Sequence, residues 1–117
     1  HCEGYAAGEL KHGPLALIED NIPVIALAPY DENFSKILSN IQEIRARGGR
    51  VIMITDSEGD QKAQKYCDNV VILPKTNIIT APIVYSLPIQ LIAYYLAVLL
   101  GTDVDQPRNL AKSVTVE

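Results

Sequence analysis

Three short apolar runs divide the first two-thirds of the chain: Pro23-Val24-Ile25-Ala26-Leu27-Ala28, Val51-Ile52-Met53-Ile54-Thr55 and Asn69-Val70-Val71-Ile72-Leu73. Each is continuous, and β-branched residues recur in it. Strands buried on both faces read this way, and such strands favour a parallel sheet. Between the first two runs, Phe34, Ile37, Leu38, Ile41 and Ile44 fall at helical spacing, with Lys36, Asn40, Glu43 and Arg47 on the other side. Asp31 is a candidate N-cap for this helix, and Gly48-Gly49 stops it. Asp60 to Cys67 predicts a second, short helix. The order β-α-β-α-β with short loops implies right-handed crossovers within one narrow sheet.

The flanks are less regular. Gly4 to Ile18 holds good helix formers, Ala6, Ala7, Glu9, Leu10 and Lys11, until His12-Gly13-Pro14 interrupts them. Pro14 can start a second helical piece, Leu15 to Ile18. His12 therefore sits at a break, where it either caps a helix end or faces a cleft. Asp56 and Ser57, at the carboxyl end of the second strand, are open to two readings as well. They form a plain turn, or they contact a ligand as residues there do in open α/β sheets.

Thr76 to Gly101 carries no charge between Lys75 and Asp103, a length that raises a membrane span. Pro82, Pro88, Ser86, Gln90 and the lack of a basic cluster at its flanks argue against one. Thr80 can cap a helix with Pro82 in its first turn, and Gly101 can end it. Ile83, Leu87, Leu91, Tyr94 and Val98 mark one face; Ile89, Ile92, Leu96 and Leu99 mark another. A helix apolar nearly all round is expected to pack one face on the sheet and the other on a second domain or subunit, so self-association is expected.

Composition narrows this further. At 117 residues the chain is enough for one small domain. An apolar share of 48% with 21% charged residues excludes disorder. The net charge of −4 and the lack of a basic patch argue against nucleic acid as a partner. Cys2 and Cys67 lack metal-ligand spacing and read as reduced thiols of a cytosolic protein. The start at His1-Cys2-Glu3, with neither Met nor signal peptide, suggests a piece of a longer protein. His1 and His12 are the only histidines, which leaves no metal cluster and no Ser-His-Asp triad to argue, and there is no G-x-G-x-x-G or P-loop. The end, Asp103 to Glu117, has no periodicity; its Lys112 is either a solvated terminal lysine or a reactive amine folded over a site.

Two stretches decide among these readings. Tyr5-Ala6-Ala7-Gly8-Glu9-Leu10-Lys11-His12-Gly13-Pro14-Leu15-Ala16-Leu17-Ile18 and Asp103-Val104-Asp105-Gln106-Pro107-Arg108-Asn109-Leu110-Ala111-Lys112-Ser113-Val114-Thr115-Val116-Glu117 closely resemble the glutamine–fructose-6-phosphate aminotransferase family. The likeness runs over essentially the whole chain. It implies that residues 1–102 are the C-terminal portion of a second sugar-isomerase (SIS) domain and 103–117 an active-site tail. The implied fold is α/β, a three-layer α-β-α SIS-type parallel sheet, incomplete with about three strands here.

The implied reaction makes glucosamine 6-phosphate and glutamate from fructose 6-phosphate and glutamine, the entry to UDP-N-acetylglucosamine. By the same resemblance His12 opens the sugar ring, reaching the site of the neighbouring subunit of a homodimer. Lys112 forms a Schiff base with the open ketose, and the backbones of Ala111 and Ser113 line the sugar. Asp105, Gln106, Pro107 and Asn109 hold the loop, while Arg108 orders the tail. The residue types suit these tasks. Imidazole moves protons near neutral pH, and an amine adds to a ketone only when neutral, a form that the charge of Arg108 is a candidate to favour. No cofactor and no metal are implied, and the setting is cytoplasmic. A glutamate that shuttles the proton between C1 and C2, the phosphate-binding loop and the glutaminase domain that supplies ammonia lie upstream in the family, so the fragment alone is expected to be inactive. Two alternatives are a phosphosugar-binding SIS module without catalysis and an SIS phosphosugar isomerase without a glutaminase domain.

Overall fold

A computed structural model describes residues 1–106 of the chain. Contacts divide the chain into two units, His1–Ala81 and Pro82–Glu117.

In the first unit three strands, β1 (Pro23–Leu27), β2 (Arg50–Asp56) and β3 (Asn69–Leu73), form a parallel sheet in the order β1-β2-β3. Val24 lies beside Val51, Ala26 beside Met53, and Met53 beside Val70, which fixes the register. The apolar runs thus became strands as expected, the third with the same bounds and the first two differing by a residue at their ends. Helix α1 (Phe34–Ala46) follows β1, and helix α2 (Ser57–Ala63) follows β2 and runs into a 3-10 turn at Gln64–Tyr66.

Alternation along the strands separates two faces. Val24, Ala26 and Ala28 from β1 and its end, Val51 and Met53 from β2, and Val70 from β3 share one face and join the core cluster. Phe34, Ile41 and Ile44 of α1 and Ala63 of α2 pack into the same cluster, joined by Leu10, Leu15 and Ile18 from the start of the chain. The other face is apolar too, with Ile25, Leu27, Ile52, Ile54, Val71 and Leu73. Two apolar faces explain why the runs were continuous rather than alternating.

Several local details differ from the sequence reading. The stretch before the sheet forms two 3-10 segments, Ala7–His12 and Pro14–Leu17, instead of α-helix. Each is too short to repay α nucleation, and Gly13-Pro14 prevents their fusion. Asp31 does not cap α1 directly: its carboxylate accepts from the Asn33 amide at 2.8 Å, ahead of a helix that begins at Phe34. Asn40, assigned to the polar side of α1, is buried. Helix α2 begins at Ser57, earlier than Asp60, because Asp56 caps it.

Helix α3 (Ala81–Leu99), which belongs to the second unit from Pro82 onward, accepts Pro82 in its first turn and continues through Pro88, where a ring replaces a backbone donor. Nearby, the Ser86 hydroxyl donates to the Ile83 carbonyl at 2.8 Å. The helix closes in a Schellman motif: the Gly101 amide donates to Val98 and the Thr102 amide to Ala97, both at 3.0 Å. At 19 residues α3 is long and apolar enough to cross a membrane by length and composition. Its Ile83, Leu87, Leu91, Tyr94 and Val98 stripe is roughly half exposed or more, from 49% at Tyr94 to 67% at Ile83.

Candidate functional site

His12 ends the first 3-10 segment and is exposed. Among the described residues no hydrogen bond or ion pair holds its ring. Its neighbours are better anchored. Leu10 and Leu15 pack against the core cluster. Lys11 Nζ lies 3.7 Å from Glu43 Oε1 on α1, a surface pair worth at most about 1 kcal/mol. The next residue, Gly13, has φ 143° and ψ −53°, and its carbonyl accepts from the Ala16 amide at 2.9 Å. Of the two readings of His12, the structure gives it no capping bond within its own segment. An exposed imidazole on an anchored turn is free to meet another surface.

Lys112, Ala111 and Ser113 lie outside the described residues, as do Arg108, Pro107 and Asn109. The chain approaches them through a tight turn. Asp103 Oδ1 accepts from the amides of Asp105 at 2.9 Å and Gln106 at 3.0 Å. Beside this turn an open hollow of about 730 Å³ is lined by Tyr94, Ala97, Leu100, Asp103, Val104 and Gln106, among others.

At the carboxyl ends of the strands the readings of Asp56 can be separated. Asp56 is 4% exposed, and its carboxylate is occupied on both oxygens. Oδ1 accepts from the amides of Glu58 at 3.0 Å and Gly59 at 3.1 Å, and Oδ2 from the amide of Tyr30 at 3.1 Å. The adjacent Thr55 hydroxyl donates to the Ala28 carbonyl at 2.6 Å. Asp56 and Thr55 therefore lace the end of β1 to the end of β2 and start α2. The carboxylate is a structural cap, with Ser57 as the first helical residue.

Sequence reading passed over one charged pair on this rim. Lys75, just past β3, pairs with Glu58 on α2. A hydrogen bond from Lys75 to Glu58 raises the lysine's pKa above its usual value. The two are 17 positions apart, and only the parallel register brings them together.

Among the described residues no group of three or more His, Cys, Asp or Glu side chains could hold a metal ion. Both cysteines are free thiols. Burial pushes the Cys67 thiol above its usual pKa, the opposite of an activated nucleophile.

Comparison with known proteins fits this α/β arrangement. The SIS domain family matches residues 1–100. A glutamine–fructose-6-phosphate aminotransferase [isomerizing] of Rhizobium meliloti (strain 1021) is 60% identical over 117 residues, all of this chain and 19% of that protein. One from Bartonella quintana (strain Toulouse) is 63% identical over the same span and share. Among solved structures, the C-terminal domain of glucosamine-fructose-6-phosphate aminotransferase from Francisella tularensis superposes with a TM-score of 0.84 at 44% identity. That match covers 91% of this chain and 30% of the other. The chain thus spans about a fifth of the length of the curated relatives it matches. With the match extending over all three strands and their helices, the chain belongs to the SIS domain family.

Proposed function

We propose that this chain is the C-terminal part of the isomerase half of a glutamine–fructose-6-phosphate aminotransferase. One observation carries the reading: relatives bearing that name share 60–63% of residues over the whole chain, through the segment that holds Lys112. The complete protein converts fructose 6-phosphate and glutamine to glucosamine 6-phosphate and glutamate. It acts as a homodimer in the cytoplasm and feeds UDP-N-acetylglucosamine synthesis.

The chemistry distributes as follows. His12 passes a proton between the anomeric hydroxyl and the ring oxygen, opening the sugar; its exposure suits a role in the neighbouring subunit's site. The neutral Lys112 amine adds to the C2 ketone and loses water to give an imine. Ammonia released from glutamine takes the place of the lysine amine, and the resulting sugar imine isomerises as a proton moves from C1 to C2. The backbones of Ala111 and Ser113 line the sugar. The proton shuttle, the phosphate-binding loop and the ammonia source come from other parts of the full-length protein, so this segment alone is inactive.

The test uses the full-length protein containing this segment, supplied with fructose 6-phosphate and glutamine. Glucosamine 6-phosphate and glutamate are expected in equal amounts. Isomerisation of the sugar phosphate without amination points to a phosphosugar isomerase instead, and sugar-phosphate binding without turnover to a binding module.

A further inference from the structure

We propose that Gly13 is a positioning residue for His12, fixing the direction in which the imidazole is presented; this rests on the ring-opening role given to His12 above. The ring has no polar partner among the described residues, so nothing on the side chain itself sets its aim. The backbone must do so. On one side Leu10 is packed against the core, and on the other Leu15 is. Between these anchors the chain passes from one 3-10 segment to the next, and Pro14 has its φ locked by its ring.

The change of direction is concentrated at Gly13, with φ 143° and ψ −53°. A residue with a Cβ rarely adopts that φ. Space is not the reason for the glycine, because a Cβ built there meets no atom within 4 Å. Its requirement is conformational. A side chain at position 13 drives φ towards negative values, and the compensating rotation must fall between the two leucine anchors. Pro14 resists it, so Lys11 and His12 absorb it. The packing beneath stays as it was, while the imidazole turns away from its target.

The experiment separates ring opening from imine formation in the full-length protein. Borohydride trapping at Lys112 is timed with fructose 6-phosphate and with 5-deoxyfructose 6-phosphate. The second sugar lacks the hydroxyl that closes the five-membered ring, so it needs no opening. Gly13→Ala and His12→Ala are both expected to slow trapping of fructose 6-phosphate, the first by about 10–100-fold, and to leave the 5-deoxy sugar at the wild-type rate. Wild-type trapping of both sugars by Gly13→Ala overturns the proposal. So does equal slowing with both sugars, which would make Gly13 merely structural. If His12→Ala itself fails to distinguish the two sugars, the ring-opening role fails first, and the positioning role falls with it.

Discussion

Replacing Gly59 with alanine puts the packing of α2 on the sheet to a direct test. Gly59 is the third residue of α2 and is buried. A Cβ added there would lie 2.0 Å from Thr55 Oγ1 and 3.0 Å from Phe34 Cε2. Ordinary contact begins near 3.4 Å, so about 1.4 Å must be opened against Thr55, which is fully buried. The hydroxyl can give way only by leaving the Ala28 carbonyl, to which it donates at 2.6 Å. Overpacking of this kind costs about 1–3 kcal/mol, and a buried acceptor left without its donor costs a similar amount. Alanine's better helix propensity returns about 0.5–1 kcal/mol. A net destabilisation of about 2–4 kcal/mol is expected, a large share of the ~5–15 kcal/mol that holds a typical domain together.

Thermal and denaturant unfolding of the chain at fixed concentration would measure it, and a drop in Tm of more than about 8 °C is expected. Gly8→Ala, where an added Cβ meets nothing within 4 Å, serves as the control. In a Thr55→Ala background Gly59→Ala should cost at least ~1 kcal/mol less than in the wild type, since the two sites are in contact. A Gly59→Ala chain as stable as the wild type or more so, as for an exposed helical glycine, would refute the steric reasoning.

Three further outcomes can be checked on the same chain. Asp56→Ala removes the acceptor of three backbone amides and should destabilise by about 2 kcal/mol in urea unfolding, whereas Asp56→Asn, which keeps one cap oxygen, should cost less. Asp68 accepts from the Val51 amide at 2.7 Å and from Arg45 Nη1 at 2.6 Å, and these bonds hold its pKa below the usual 3.8. Its stabilising contribution is therefore full above about pH 4 and is lost as pH falls through the lower folded value. The stability gap between wild type and Asp68→Asn should accordingly close in acid, as pH-dependent unfolding would show. Light scattering should give a mass above the monomer's 12.8 kDa, because the exposed Ile83–Val98 stripe of α3 is apolar; substituting Leu87 and Leu91 with glutamate should lower it.

The strands were legible because a continuous apolar run bounded by Pro, Gly or Asp has few other readings in a small domain. The alternation that assigns each side chain to a face was not, since both faces are apolar and only the register decides. Helix α2 was read three residues late for two linked reasons. Asp56 looked like a turn or ligand residue, because one of its partners, the Tyr30 amide, is 26 positions away. Gly59 is a weak helix former by sequence, and only the fold shows that its lack of a side chain is what lets α2 approach Thr55 and Phe34. Asn40 fell on the polar side by periodicity, but the packing around α1 covers it. Within the site, the Gly13-Pro14 break exposed His12 to notice, because it interrupts a helical pattern. The Lys75–Glu58 pair left no local signal at all. Lys112 was distinguished by the family-like tail around it, not by its composition.

The role of Lys112 carries the catalytic reading, and one measurement addresses it. The full-length protein containing this segment is mixed with fructose 6-phosphate and reduced with borohydride, and its peptides are then mapped by mass. A reduced hexose-phosphate adduct on Lys112, absent from Lys112→Arg, is the expected result. No adduct at Lys112 in a protein that still binds the sugar phosphate would contradict the assignment.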